Sequence, residues 1–270
     1  MNKTEIKNIV NITKFNLKVN FKSILGWSIA IFLITFLYMI LFPSMKDLAT
    51  MKMEAMPKEM LQFFGLDSLN NMNNYIHYFG MMFNMIIITI SVYAVSLSSK
   101  LICGEEKTKS IEFLNSLNVN RNEIYISKLI TAFISLIIVL LSAVIAGLIC
   151  GLAVGGETFI LMDFISIVKL GGISVFIFMS ISFLLSGISS KMNVSMISSI
   201  IIFGTYLIGY LGVLLEKRWL VYFSPIETLN VNGALNMTSS TYVSIFVYFT
   251  IIILSILFGK YFYKKRDFNI

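Results

Sequence analysis

Six long apolar runs separated by shorter polar stretches dominate the chain: Ile24–Phe42, Ile76–Leu97, Leu129–Val154, Val168–Ser186, Val194–Leu214 and Tyr242–Gly259. At about 1.5 Å per helical residue, such runs match a hydrocarbon layer roughly 30 Å thick. Lipid offers no partner for an unpaired backbone N–H or C=O, so each run is expected to be a helix. The pattern predicts an all-α polytopic membrane protein with six transmembrane helices in a single domain spanning residues 1–270.

The polar stretches carry their own patterns. Near the start, Lys3, Lys7, Lys14, Lys18 and Lys22 recur at spacings of three and four, with Asn11 in the gap. On a helix they form one basic stripe, with Ile6, Ile9, Val10, Phe15, Leu17 and Val19 elsewhere around the axis. This reads as an interfacial helix over residues 1–23, lying on the inner leaflet. Residues 43–75 and 215–241 are expected on the outer side. The first holds a short helix at Pro57–Phe64, which Pro57 can open and Gly65 can end. The second carries Trp219, Tyr222 and Phe223, residue types suited to the headgroup layer. Residues 98–128 form the largest inward loop. Within it, Asn120 followed by Glu123 predicts a capping box that opens the third span.

Composition sharpens this picture. Hydrophobic residues make up 57% of the 270 and charged ones 13%, against roughly 25% charged for a soluble domain. The mean hydropathy is +0.84. A net charge of +7 does not indicate nucleic-acid binding, because the basic residues flank the apolar runs. With six spans, fifteen Lys and Arg fall on the side of the termini and six on the other. Cytoplasmic loops are the ones enriched in Lys and Arg, so both termini are expected in the cytoplasm. No cleavable signal peptide is evident. Cys103 and Cys150 fall at opposite ends of the helix map and are not expected to form a disulfide.

Residue patterns that carry chemistry are scarce on this chain. No GxxxxGK[ST] phosphate loop occurs; Gly259-Lys260 lacks the upstream glycine and is followed by Tyr261. No charged residue lies in the middle of a run, where an ion-coupled pump needs one. Asn84 and Thr89 read as partners for neighbouring helices. His77 is the single histidine, too few for a zinc site. Met45, Met51, Met53, Met56 and Met60 could ligate Cu(I), but methionine is common throughout this chain and fills apolar gaps. Glu105-Glu106 superficially fits a glutamate-pair intramembrane protease, yet the neighbouring spans lack the histidines it would need, the single His77 standing near the outer end of the second. No catalytic residue, metal site or cofactor is therefore expected on this chain. In the third span Ala143, Gly147, Gly151 and Gly155 recur every fourth residue, a small-residue row that lets a helix approach, within the chain or from another subunit.

The stretch Gly104–Lys128, GEEKTKSIEFLNSLNVNRNEIYISK, predicts a short amphipathic helix with Ile111, Leu114 and Leu117 on one side. Such a helix suits the groove of a soluble partner. Here the sequence resembles the membrane subunits of ABC-2-type transporters. Their loop between the second and third spans reads like E-x-x-G-T-L-E-x-L-L-S-x-P-x-S-R, with a Lys near the next span. Glu105 or Glu106, Ser110, Ile111, Glu112, Phe113, Leu114, Ser116, Arg121 and Lys128 fall at matching places. Lys109 stands where Gly is usual and Asn118 where Pro is usual. Ser224-Pro225 and the Lys265-Arg266-Asp267 tail also fit. The resemblance implies a bacterial plasma-membrane exporter permease of the six-helix ABC-2 type. It would pair with a second copy or a paralogue and contact cytoplasmic ATPase subunits that hold ATP and Mg. Glu105, Glu106, Ser110–Leu114, Leu117, Arg121 and Lys128 would form the coupling surface. A neutral path suits amphipathic cargo such as drugs, antimicrobial peptides or lipid-like molecules. Rival expectations are a non-transporting scaffold or sensor subunit and an intramembrane hydrolase.

Overall fold

The computed structural model describes residues 3–51, 72–107, 119–190 and 192–266. Among these residues there is no strand. The helices are α1 (Lys3–Ile40), α2 (Phe42–Met51), α3 (Tyr75–Lys107), α4 (Arg121–Val154), α5 (Leu161–Ile188), α6 (Val194–Leu214), α7 (Arg218–Val221), α8 (Pro225–Thr228), α9 (Val231–Leu235) and α10 (Ser239–Lys265), with a 3₁₀ turn at Gly156–Thr158. Six of them, α1, α3, α4, α5, α6 and α10, are long and apolar enough to cross a membrane. The two prolines among the described residues, Pro43 and Pro225, lie outside these six, as they should, since an interior proline removes a hydrogen bond and clashes one turn back. Pro43 stands just past the end of α1 and opens α2.

Length and direction follow from the contacts. α1, α3 and α4 have 38, 33 and 34 residues, or about 50–57 Å at the helical rise. They extend well beyond a hydrocarbon layer of about 30 Å. Asn8 meets Glu123, Thr13 meets Ser127 and Cys150 meets Phe36, at sequence separations of 115, 114 and 114. The near-constant separation means that α1 and α4 run side by side in the same direction over most of their length. α3 runs antiparallel to both, with Lys100 on Asn20 and Tyr78 on the carbonyl of Tyr38. It packs against α1, α4, α5 and α6 and forms the centre of the bundle. Residues 3 and 266 lie at the same end, with Asn8 near the start of α4 and Arg121 bonded to the end of α10.

The core is rich in rings at the opposite end. Phe42, Tyr75, Tyr78, Phe79 and Phe164 are fully buried there, with centroids 4.6–5.5 Å apart for Phe42–Tyr75, Phe42–Tyr78 and Phe79–Phe164. The surface is apolar around the waist: Leu37, Leu141, Phe203, Leu207, Phe246 and Leu257 are all exposed. In water that would be a large apolar patch; a bilayer covers it.

Two local expectations are corrected. Residues 1–23 do not form a helix separate from the first span, because Lys3–Ile40 is one unbroken helix. The reason is its opposite face. Thr13, Asn16 and Asn20 are buried, and Thr13 and Asn20 bond to Ser127 and Lys100 of the neighbouring helices. This polar stripe continues the apolar stripe Ile24, Ile31 and Met39 along the same face, so the helix stays on the bundle. Lys7, Lys14, Lys18 and Lys22 point outward. The second correction is at Asn120. It is the N-cap of α4, but its side chain caps no backbone N–H. Its amide donates to the Glu123 carboxylate instead, at 3.3 Å, and Asn8 donates to the other oxygen at 3.0 Å. The expected helices at Pro57–Phe64 and around Ile111–Leu117 lie outside the described residues.

Candidate functional site

At the end that carries the termini, polar groups lock five helices together. Arg121 donates to the carbonyls of Lys264 (3.1 Å) and Arg266 (2.7 Å). The last carbonyls of a helix lack partners and carry partial negative charge, so a guanidinium suits this place. Arg266 in turn donates to the carbonyl of Ser186 in the last turn of α5 and lies 5.5 Å from the Tyr263 ring centre. Cys103 of α3 meets the same carbonyl at 3.7 Å. Lys128 is fully buried, with its ammonium 5.8 Å over the Tyr263 ring. Tyr125 packs on Phe183 and Tyr263 and donates to the carbonyl of Ile256. Gly187 and Gly259 make this convergence possible, because a Cβ on Gly187 would collide with the Gly259 backbone.

Of the expected coupling residues, the structure brings Arg121 and Lys128 into this cluster, bonded within the chain. Glu105 and Glu106 lie in the last turn of α3. Ser110, Ile111, Glu112, Phe113, Leu114 and Leu117 fall outside the described residues. The small-residue row faces inward. A side chain on Gly147 would meet Phe79 and Phe164, and one on Gly151 would meet Phe159. Tyr75 donates to the carbonyl of Gly147 at 2.5 Å. The row therefore seats aromatic rings of the same chain.

Along the waist, an open cleft of about 580 Å³ runs between α4, α5 and α10, walled by Ile130, Phe133, Leu140, Gly172, Ile173, Phe176, Phe249 and Ile252. Phe133 and Phe176 stack at 4.9 Å inside it. Its one charged wall residue is Lys169. The apolar run placed Lys169 at a span edge, whereas α5 begins eight residues earlier, at Leu161. Among the described residues no three His, Cys, Asp or Glu side chains group as a metal would require.

The opposite end holds a feature that sequence reasoning missed. The segment of α7, α8 and α9 folds back into the bundle. Ser224 accepts from the Glu227 N–H, the Ser174 hydroxyl of α5 donates to the carbonyl of Pro225, and Tyr248 of α10 donates to Thr228. Gly209 leaves room for Ser224 and Glu227 against α6, and Gly80 leaves room for Val231 against α3. Glu227 is 7% exposed. Burial pushes its carboxyl up to about 7, with the Asn230 side chain pulling it partly back. The available signal was Ser-Pro-x-Glu at 224–227, a helix-start pattern with a serine cap, proline in the first turn and glutamate at the third position.

No curated protein matches the chain. A family model does, that of the multidrug efflux system permease Rv1217c, C-terminal domain, over residues 14–264. The match covers four of the six spans entire, α10 but for its last residue, and most of α1, and agrees with the ABC-2 permease resemblance of the 104–128 stretch. With six membrane-crossing helices packed around α3, this chain is a multi-pass membrane protein and belongs to the multidrug efflux permease family described by that C-terminal domain.

Proposed function

We propose that the chain is the permease subunit of an ATP-driven exporter whose ATP and Mg are held by a separate cytoplasmic ATPase docked on the 108–118 loop. The observation that carries this reading is the anchoring of the loop's two flanks. The end of α3 is held by Lys100–Asn20 and Cys103–Ser186, and the start of α4 by Glu123–Asn8 and Arg121–α10. Close-packed interiors transmit strain, so a push on the loop reaches α1, α3, α4, α5 and α10 together. In this reading Glu105, Glu106, Ser110, Ile111, Glu112, Phe113, Leu114 and Leu117 meet the ATPase. Arg121 and Lys128 act behind them, positioning the base of the loop.

The excess of Lys and Arg at this end supports its placement in the cytoplasm. The apolar cleft of about 580 Å³ is of drug-site size and supports amphipathic cargo: a drug, an antimicrobial peptide or a lipid-like molecule. A second permease, identical or paralogous, completes the path. The test is Leu114→Asp, with the ATPase co-purified in mild detergent. The expected result is protein still in the membrane, with the ATPase lost and ATP-driven efflux of an amphipathic dye abolished. A bound, substrate-stimulated ATPase in that variant overturns the docking assignment.

A further inference from the structure

At the end away from the termini, a small open cavity whose mixed wall carries several polar side chains adjoins an apolar groove. The cavity, about 190 Å³, is lined by Arg218, Glu227, Thr228, Asn230, Ser240 and Thr241, with Tyr222 at its edge. The groove, about 440 Å³, runs along α10 past Val243, Val247 and Tyr248, and shares Tyr222 and Ser240 with the cavity. The cavity has one buried carboxylate, Glu227, and one exposed guanidinium, Arg218. Among the described residues no ion pair joins the two. The rim stands at the ends of the spanning helices, beside exposed Trp219 and Phe223, which is where a bilayer keeps its headgroups.

We propose that this cavity and groove form a headgroup site for an ammonium-bearing zwitterionic phospholipid, with the ammonium on Glu227, the phosphate on Arg218 and an acyl chain along α10. The charges complement each other in sign and order. A primary ammonium offers three donors, and the floor offers the Glu227 carboxylate and the Thr228 hydroxyl as acceptors. Guanidinium is well shaped for phosphate. A volume of about 190 Å³ equals roughly six liquid waters, enough for an ethanolamine phosphate. A purely cationic ligand would leave Arg218 opposed, and an anionic lipid would leave Glu227 buried without a counter-charge.

The site also predicts a pH dependence. The ionised carboxylate is the form that binds ammonium, so binding strengthens as pH rises through about 7, where Glu227 titrates. The other groups facing it are Tyr206 from α6, Arg218 of α7 and Tyr222 just after it, and Tyr248 from α10 through Thr228. From α3 and α5 the contacts come from Gly80 and Ser174; the ionisable groups of those helix ends are Tyr75, His77 and Tyr78 on α3 and Asp163 and Lys169 on α5.

The experiment is lipid titration of the full chain in detergent, read by native mass spectrometry, and it needs no ATPase. The probes are phosphatidylethanolamine, phosphatidylglycerol and water-soluble glycerophosphoethanolamine. The expected result is a preference of about tenfold for phosphatidylethanolamine over phosphatidylglycerol, the size of one charge-assisted contact. That preference should grow from pH 6 to 8 and vanish in Glu227→Gln, which keeps the side-chain shape. Arg218→Gln should weaken both lipids and leave the preference. Equal binding of the two lipids, a flat pH response, or a preference that survives in Glu227→Gln overturns the proposal. Glycerophosphoethanolamine binding as tightly as the lipid overturns the acyl groove. A loss of efflux with lipid preference intact touches only the exporter reading.

Discussion

Glu227 shows how one residue is set by its neighbours. Its carboxyl is raised from 4.5 to about 7, so the folded protein holds a proton that the unfolded chain releases. Stability from this group is therefore complete below pH 4.5 and falls as pH rises through 7, by roughly 3 kcal/mol at most. Unfolding in detergent should show the wild type losing stability between pH 5 and 8 and Glu227→Gln changing little; parallel behaviour of the two would contradict the burial argument. Gly259 illustrates a steric constraint. Its Cα side faces Leu184, the Phe183 carbonyl and the Tyr125 hydroxyl, so Gly259→Val should force α5 and α10 apart and cost about 1–3 kcal/mol. A thermal shift of the purified variant checks this, and the parallel change at Gly204, where an added Cβ meets open space, should do little.

At the scale of elements, periodicity located all six spans, yet it misjudged how the polar segments continue them. The Lys stripe suggested an interfacial helix because a basic face is visible in sequence. The opposing stripe of Thr13, Asn16 and Asn20 is polar and carries no sign that it will be buried. Thr13 and Asn20 are buried because Ser127 and Lys100 of two distant helices supply partners, and a buried polar group without a partner costs about 1–3 kcal/mol. Asn20→Leu should accordingly loosen the first half of α1, measured as faster amide exchange over residues 9–23 with the rest of α1 unchanged. Uniform protection across α1 would argue that Lys100 contributes nothing. Arg121 works in the same way on α10. Arg121→Ala should increase proteolysis after Lys264 and Lys265 while leaving the spans folded.

For the whole molecule, the decisive property is that the described ends of α1, α3, α4, α5 and α10 meet in one polar cluster. If that cluster lies in the cytoplasm, a cysteine placed at Lys264 in a Cys103→Ser, Cys150→Ala background should be labelled only after the cell membrane is opened. One at Lys217 should be labelled in intact cells by an impermeant maleimide. The reverse pattern would invert the proposed orientation.

The linear pattern by itself determined the class of molecule, the number of spans and the stretch that resembles ABC-2 permeases. These rest on local hydrophobicity and on residue spacing within a single loop, so no tertiary contact is needed to read them. The tertiary structure decided the rest. It turned the small-residue row of α4 inward onto Tyr75, Phe79, Phe159 and Phe164, where sequence left both directions open. It buried Lys128 under Tyr263, which is 135 residues away. It carried Glu227 from a segment expected outside into a protein-lined cavity. Each of these depends on which helices become neighbours, and that is set by side chains far apart in the chain meeting in a bundle where lipid satisfies none of their polar groups.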